Sequence, residues 1–115
     1  MDHEEPATLV FDRFRLVTAQ RRLYRDDASI HLGGRAMDLL ITLAERAGEV
    51  VSRSELEARA WPRVLVKDSS LRVHIAALRK TLGDGTGDRR FIANVPGRGY
   101  AFVGDVERVA LSGKP

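Results

Sequence analysis

The sequence predicts an α+β fold in which short antiparallel strands come first, three helices follow and a hairpin closes the chain. Three observations carry that expectation. Apolar residues between Leu9 and Leu32 fall in short clusters broken by polar turns, from Arg35 their spacing becomes helical, and a glycine-rich turn near residue 97 separates two last strand-like runs. The 115 residues suit one domain, and 43% hydrophobic with 30% charged residues is ordinary globular composition. With no cysteine in the chain, a disulfide scaffold and thiolate metal sites are excluded.

The strands are justified by Leu9, Phe11, Phe14, Leu16, Leu23, Tyr24, Ile30 and Leu32, interrupted at Thr18-Ala19-Gln20 and at Asp26-Asp27-Ala28. That spacing fits three or four short strands joined by tight turns. In the first helix Met37, Leu40, Ile41 and Ala44 form a stripe that Ala36, Leu39, Leu43 and Ala47 widen, and Gly48 stands where a glycine stops a helix. So wide an apolar arc belongs at the centre of a core. Ser52 and Glu55 have the S-x-x-E spacing of a capping box, which starts a second helix. Pro62 disfavours helical geometry at Trp61, so this helix ends near Ala60.

Residues 61–66 then form a loop, Asp68 is the expected N-cap of a third helix through Leu82, and Gly83 closes it. Gly85, Gly87 and Asp88 keep the next segment in a loop. Phe91–Val95 and Tyr100–Val103, joined by Pro96-Gly97-Arg98-Gly99, read as a hairpin. Residues 1–8 are expected as an N-terminal tail and 105–115 as a C-terminal tail or the start of a linker, leaving 9–104 as the domain.

The formal charge of +3 and pI near 9.8 permit a polyanionic partner without demanding one. Position is more informative. Residues 1–66 hold ten basic and eleven acidic side chains, net −1, whereas 67–99 hold Lys67, Arg72, Arg79, Lys80, Arg89, Arg90 and Arg98 against Asp68, Asp84 and Asp88, net +4. One phosphate-facing surface on a neutral scaffold would give this asymmetry, and so would a solvated basic face.

On the third helix, Leu71, Ile75, Leu78 and Leu82 recur at i, i+4, i+7 and i+11, which at ~100° per residue makes one core-facing stripe. Ser69, Val73, Ala76, Ala77 and Lys80 then point outward, flanked by Arg72 and Arg79. Small residues between cations let a helix approach a groove floor while its edges meet phosphates, although they are also simply good helix formers. A short helix, a turn, a longer helix with a basic rim and a glycine-tipped hairpin bearing Arg98 make the layout of a winged helix-turn-helix.

Several blocks in order give a resemblance to a family: Arg35-Ala-Met-Asp-Leu-Leu, Gly48-Glu-Val-Val-Ser-Arg-Ser-Glu-Leu, Trp61, Leu71-Arg-Val-His-Ile-Ala-Ala-Leu-Arg-Lys-Thr-Leu-Gly-Asp and Val95-Pro-Gly-Arg-Gly-Tyr. Over about residues 9–104 the chain resembles the OmpR/PhoB-type winged-helix DNA-binding domain of bacterial transcription regulators. The resemblance implies a four-stranded N-terminal sheet, three helices and a C-terminal hairpin wing. It also implies sequence-specific binding of double-stranded DNA for transcription regulation, with recognition helix 68–82 in the major groove and wing 91–103 at the minor groove.

Carried over by position, the family's base- and phosphate-reading sites fall on Ser69, Val73, His74, Ala77 and Arg79, with wing sites at Asn94, Pro96 and Arg98. Many relatives place an arginine at the positions of Ala77 and Pro96. In their absence Arg98 is expected to take the minor-groove role, and Arg72 or Lys80 the polar major-groove contact. Lys67 completes the candidate DNA-binding set, and Val73 with Ala77 offers apolar contact to thymine methyls. The stretch Trp61, Pro62, Arg63, Val64, Leu65 and Val66 resembles the segment that contacts RNA polymerase in activators of the family, while a lone tryptophan there also serves as a core plug. His74, roughly 60° from the core stripe, reads as a partly buried spacer or a phosphate contact. The family association extends to tandem pairing on direct repeats and to two-component phosphorelays.

Only about eight residues precede the expected first strand, so no receiver domain is expected ahead of it. In this the chain resembles regulators whose winged helix is N-terminal, followed by a sensor, membrane segment or ATPase-like module. Asp2, Glu4 and Glu5 stand where a secretory signal would be positive, and no apolar run approaches the ~18 residues of a membrane helix, so the expected location is the cytoplasm. An enzyme lacks its inventory here: there is no H-E-x-x-H, G-x-S-x-G or P-loop, and Gly83-Asp-Gly-Thr-Gly-Asp follows a helix instead of preceding one. That loop also lacks the bidentate acid that closes a calcium site. His3 and His31 have no catalytic companion at useful spacing, so no catalytic residue, metal or cofactor is expected. The competing class is a protein-interaction module that keeps the fold and modulates another regulator or RNA polymerase.

Overall fold

The computed structural model describes residues 7–61, 68–85, 87 and 90–110, with the side chains of Ala7, Asp68, Ser69 and Ala110 excepted. The chain divides into two compact units, one of residues up to His31 together with those from Asp105, the other Leu32–Gly104.

The first unit is a five-stranded antiparallel sheet. In chain order its strands are β1 (Ala7–Phe11), β2 (Phe14–Val17), β3 (Arg22–Arg25), β4 (Ala28–Ile30) and, after the second unit, β8 (Glu107–Ala110); in space they run β4-β3-β2-β1-β8. Register explains the apolar clusters. Leu9 lies opposite Leu16, Leu16 opposite Leu23 and Leu23 opposite Ile30, so alternation places one apolar row across four strands. Leu9, Leu16 and Leu23 are fully buried, and the Phe11 and Phe14 rings stack at 5.4 Å beside that row. Two turns hold aspartates in left-handed conformation, Asp12 at φ 52° and Asp26 at φ 56°, which aspartate tolerates better than most residues. The turns are joined by Arg13 donating to Asp26 at 2.6 Å, which raises the Arg13 pKa, and by the Asp26 amide on the Arg13 carbonyl at 2.9 Å.

Four strands before residue 31 agree with the sequence expectation, but the expected tails do not hold as drawn. β1 begins at Ala7, inside the stretch assigned to the N-terminal tail, and Glu107–Ala110 pair with Val10–Ala7 of β1, so part of the 105–115 tail is a fifth strand. Its exposed Glu107, Arg108 and Val109 give no alternating signal; β8 exists because the edge of β1 offers backbone partners.

The second unit contains α1 (Gly34–Glu45), β5 (Val50–Val51), α2 (Arg53–Ala60), α3 (Asp68–Leu82), β6 (Ile92–Val95) and β7 (Gly99–Phe102). α1 packs on α2, α3 and β7 and buries Ala36, Met37, Leu39, Leu40, Thr42, Leu43 and Ala44. Thr42 is tolerated there because its hydroxyl donates to the Asp38 carbonyl at 2.8 Å. Ile41 is only half-buried, and Ala47, expected to widen the stripe, lies beyond the helix end and is exposed. Gly48, at φ 88°, turns the chain so that its amide donates to the Phe102 carbonyl at 2.9 Å.

Half of the expected capping box is realised. Ser52 Oγ accepts from the Glu55 amide at 3.1 Å, whereas the Glu55 carboxylate accepts from Arg46 and pairs with Arg59 at 4.0 Å. The bond to Glu55 is the main reason Arg46 is held above the ordinary guanidinium pKa. Asp68, expected as an N-cap, is the first residue of α3, and its side chain lies outside the described residues. Leu71, Ile75, Leu78 and Leu82 are all buried, as their spacing requires, each contributing roughly 1.5–3 kcal/mol. β5 is an element the sequence expectation lacked; it pairs with β7, making a three-stranded sheet β5-β7-β6.

Candidate nucleic-acid interface

α3 and the β6–β7 hairpin are fixed to each other from below. Gly83 at φ 75° ends α3, and the following Asp84 accepts from the amides of Phe91 and Ile92 at 2.9 and 2.8 Å through one carboxylate oxygen. Arg79 Nε adds a bond to the Ile92 carbonyl at 3.2 Å. At the tip, the Arg98 amide donates to the Val95 carbonyl at 2.9 Å, with Pro96 at the position that needs φ near −65° and Gly97, at φ 77°, at the position that needs positive φ. The expected hairpin is therefore present, one residue shorter at its start and end than the runs 91–95 and 100–103.

The solvent side of α3 carries exposed Arg72, Val73, Ala76, Ala77 and Lys80, and Val73 at 63% is the most exposed large hydrophobic side chain among the described residues. Beside it lies a cleft of about 420 Å³. One wall is arginine, from Arg53 at the start of α2 and Arg72 and Arg79 of α3; the other is the hairpin, from Asn94 through Gly97 with Gly99 and Tyr100. No carboxylate is among its described lining residues, so the gathered cations favour an anion. Arg98 stands exposed on the hairpin between two residues of that wall.

The structure thus brings Arg72, Arg79, Asn94 and Pro96 around one cleft, with Arg98 exposed at the hairpin tip and Val73, Ala77 and Lys80 exposed on the adjoining helix. His74 does not join them. It is half-buried, its Nδ1 donates to the Ser70 carbonyl at 2.8 Å, and its ring meets Trp61 edge-on at 5.2 Å, the spacer geometry of the two expected. Trp61 is itself buried. Lys67 and the stretch Pro62, Arg63, Val64, Leu65 and Val66 lie outside the described residues, as does the side chain of Ser69. Arg53 and Tyr100 were missed by sequence reasoning. Arg53 sits in the net-negative segment 1–66, where counting charge by segment hides it, although it belongs to the Gly48–Leu56 block that carries the family resemblance.

The family described as "Transcriptional regulatory protein, C terminal" matches residues 27–102. The chain is 41% identical over 83 residues to a cholera toxin homolog transcriptional activator of Vibrio parahaemolyticus, covering 70% of this chain and 28% of the relative. Other relatives are likewise longer: the chain spans 28% of the Vibrio cholerae cholera toxin transcriptional activator and 20% of the Escherichia coli transcriptional activator CadC. Among solved structures, the DNA-binding domain of Escherichia coli CadC superposes with a TM-score of 0.76 at 30% identity, over 90% of this chain and 98% of that one. The Klebsiella pneumoniae RstA DNA-binding domain in complex with the RstA box gives a TM-score of 0.71 at 28% identity, over 84% and 96%.

Proposed function

The chain belongs to the family of C-terminal domains of transcriptional regulatory proteins, DNA-binding domains of OmpR/PhoB winged-helix type, and we propose that it reads double-stranded DNA with α3 in the major groove and the β6–β7 wing at the minor groove. The observation that carries this reading is the outward face of α3, where Val73, Ala76 and Ala77 are exposed between Arg72 and Lys80, beside a cleft walled by three arginines. A major groove about 12 Å wide admits a helix, and small side chains let its backbone come close to base edges. Arg72 and Lys80 then supply the polar major-groove contacts, Arg98 the minor-groove contact, and Arg53, Arg79 and Lys67 meet phosphates; Ser69 and Asn94 add neutral hydrogen bonds. The role is binding, with no catalytic step.

Two further partners belong to this proposal. Copies of the domain pair in tandem on direct repeats, and RNA polymerase is met by the stretch after α2. Because Trp61 is buried, that second contact falls to Pro62–Val66. The regulator works in the cytoplasm, where its DNA is; no helix among the described residues is long and apolar enough to cross a membrane.

The test is selection of bound fragments from a random duplex library, followed by sequencing. A recurrent motif with A·T pairs under Val73 and Ala77 is expected, because the thymine methyl is the apolar feature of the major groove. Val73→Arg, on an exposed position, is expected to change the motif while leaving thermal stability within about 0.5 kcal/mol. A library left unenriched would rule out sequence-specific reading.

A further inference from the structure

We propose that Arg35, Trp61 and His74 form a positioning stack that sets how α3 presents its outward face to DNA. The inference rests on the DNA-binding reading above and concerns residues behind the interface. Trp61 follows α2 directly and is buried, its amide donating to the Glu57 carbonyl at 2.8 Å. From the first turn of α1, Arg35 does two things at once. Its Nη1 donates to the Ala60 carbonyl at 2.6 Å, satisfying an acceptor that the end of α2 would otherwise leave open, and its guanidinium lies 5.4 Å from the indole centroid. The indole meets the His74 ring at 5.2 Å and 82°, and His74 Nδ1 donates back to the Ser70 carbonyl at 2.8 Å.

The stack therefore runs from α1 across the end of α2 into the first two turns of α3. Buried Leu71, Ile75, Leu78 and Leu82 set which face of α3 turns inward, and Arg79 with the following Asp84 ties the C-terminal end of the helix to the hairpin; the stack acts at the opposite end. An edge-on aromatic contact, a cation over a ring and two hydrogen bonds are directional. They act at the end of α3 that carries Arg72 and Val73, so a small displacement there moves both side chains relative to base edges, while Arg79, bonded to the Ile92 carbonyl nearer the other end, stays beside the hairpin. Arg35 acts through Trp61, which makes specificity the property it controls.

The discriminating experiment compares affinity for the selected operator with affinity for an unrelated duplex at one salt concentration, together with the thermal midpoint of each variant. Arg35→Met, which keeps an unbranched stem like arginine's and loses the guanidinium with its donors and charge, is expected to weaken operator binding about tenfold while leaving the unrelated duplex unchanged. Arg35→Lys, which restores a cation and a donor, is expected to recover most of that loss, and Trp61→Phe to lower the same ratio. An unchanged ratio, with or without a lower midpoint, overturns the positioning role and leaves the DNA-binding reading standing. Failure of the unsubstituted protein to prefer any operator overturns both.

Discussion

Gly99 shows how a single atom is decided by the fold. Its φ of 142° and an added Cβ only 2.0 Å from the Val51 carbonyl oxygen leave no room for any side chain, because β5 passes directly against the start of β7. Gly99→Ala is expected to cost about 3 kcal/mol from overlap and backbone strain, and to lower the thermal midpoint by roughly 10 °C, measurable by calorimetry. Ala77 and Pro96 stand where the family resemblance implies arginines. Pro96 preorganises the wing turn and Ala77 leaves α3 smooth, so in the proposed complex groove contact falls to Arg72, Lys80 and Arg98, while Arg53 is brought to the cleft by a different helix. That last residue was illegible in the sequence for a physical reason: 19 positions separate Arg53 from Arg72, and only the packing of α2 beside α3 and the wing brings them to one cleft.

Among elements, legibility follows the strength of the local pattern. α3 was readable because four apolar residues repeat at helical spacing, and its buried and exposed faces fall where that period puts them. Ser52 was readable as a cap because its hydroxyl acts on its own turn, whereas the Glu55 carboxylate turns to Arg46, the residue that follows α1, and to Arg59, which no capping rule anticipates. β5 has two residues and β8 four largely exposed ones; both are created by a neighbouring strand's open edge. Deleting the chain from Asp105 onward is accordingly expected to speed hydrogen exchange at the β1 amides that face β8, with α1 and α3 amides unaffected. Unchanged β1 protection would show that the pairing contributes nothing to the sheet.

At the scale of the whole molecule, a formal charge of +3 says little, while its distribution says where a polyanion would sit. The reading depends on a few placed cations, so binding must be salt-dependent and must respond to individual residues. The most direct measurement is the operator affinity as a function of salt for the unsubstituted protein and for Arg98→Ala combined with Lys80→Ala. Each phosphate neutralised contributes about −0.9 to the slope of log affinity against log salt, so contacts from Arg53, Arg79 and Lys67 predict a steep negative slope, and loss of the groove contacts of Arg98 and Lys80 predicts weaker binding by the double variant at every salt concentration. Binding that is absent even at low salt, or an affinity left unchanged by the two substitutions, would contradict the account.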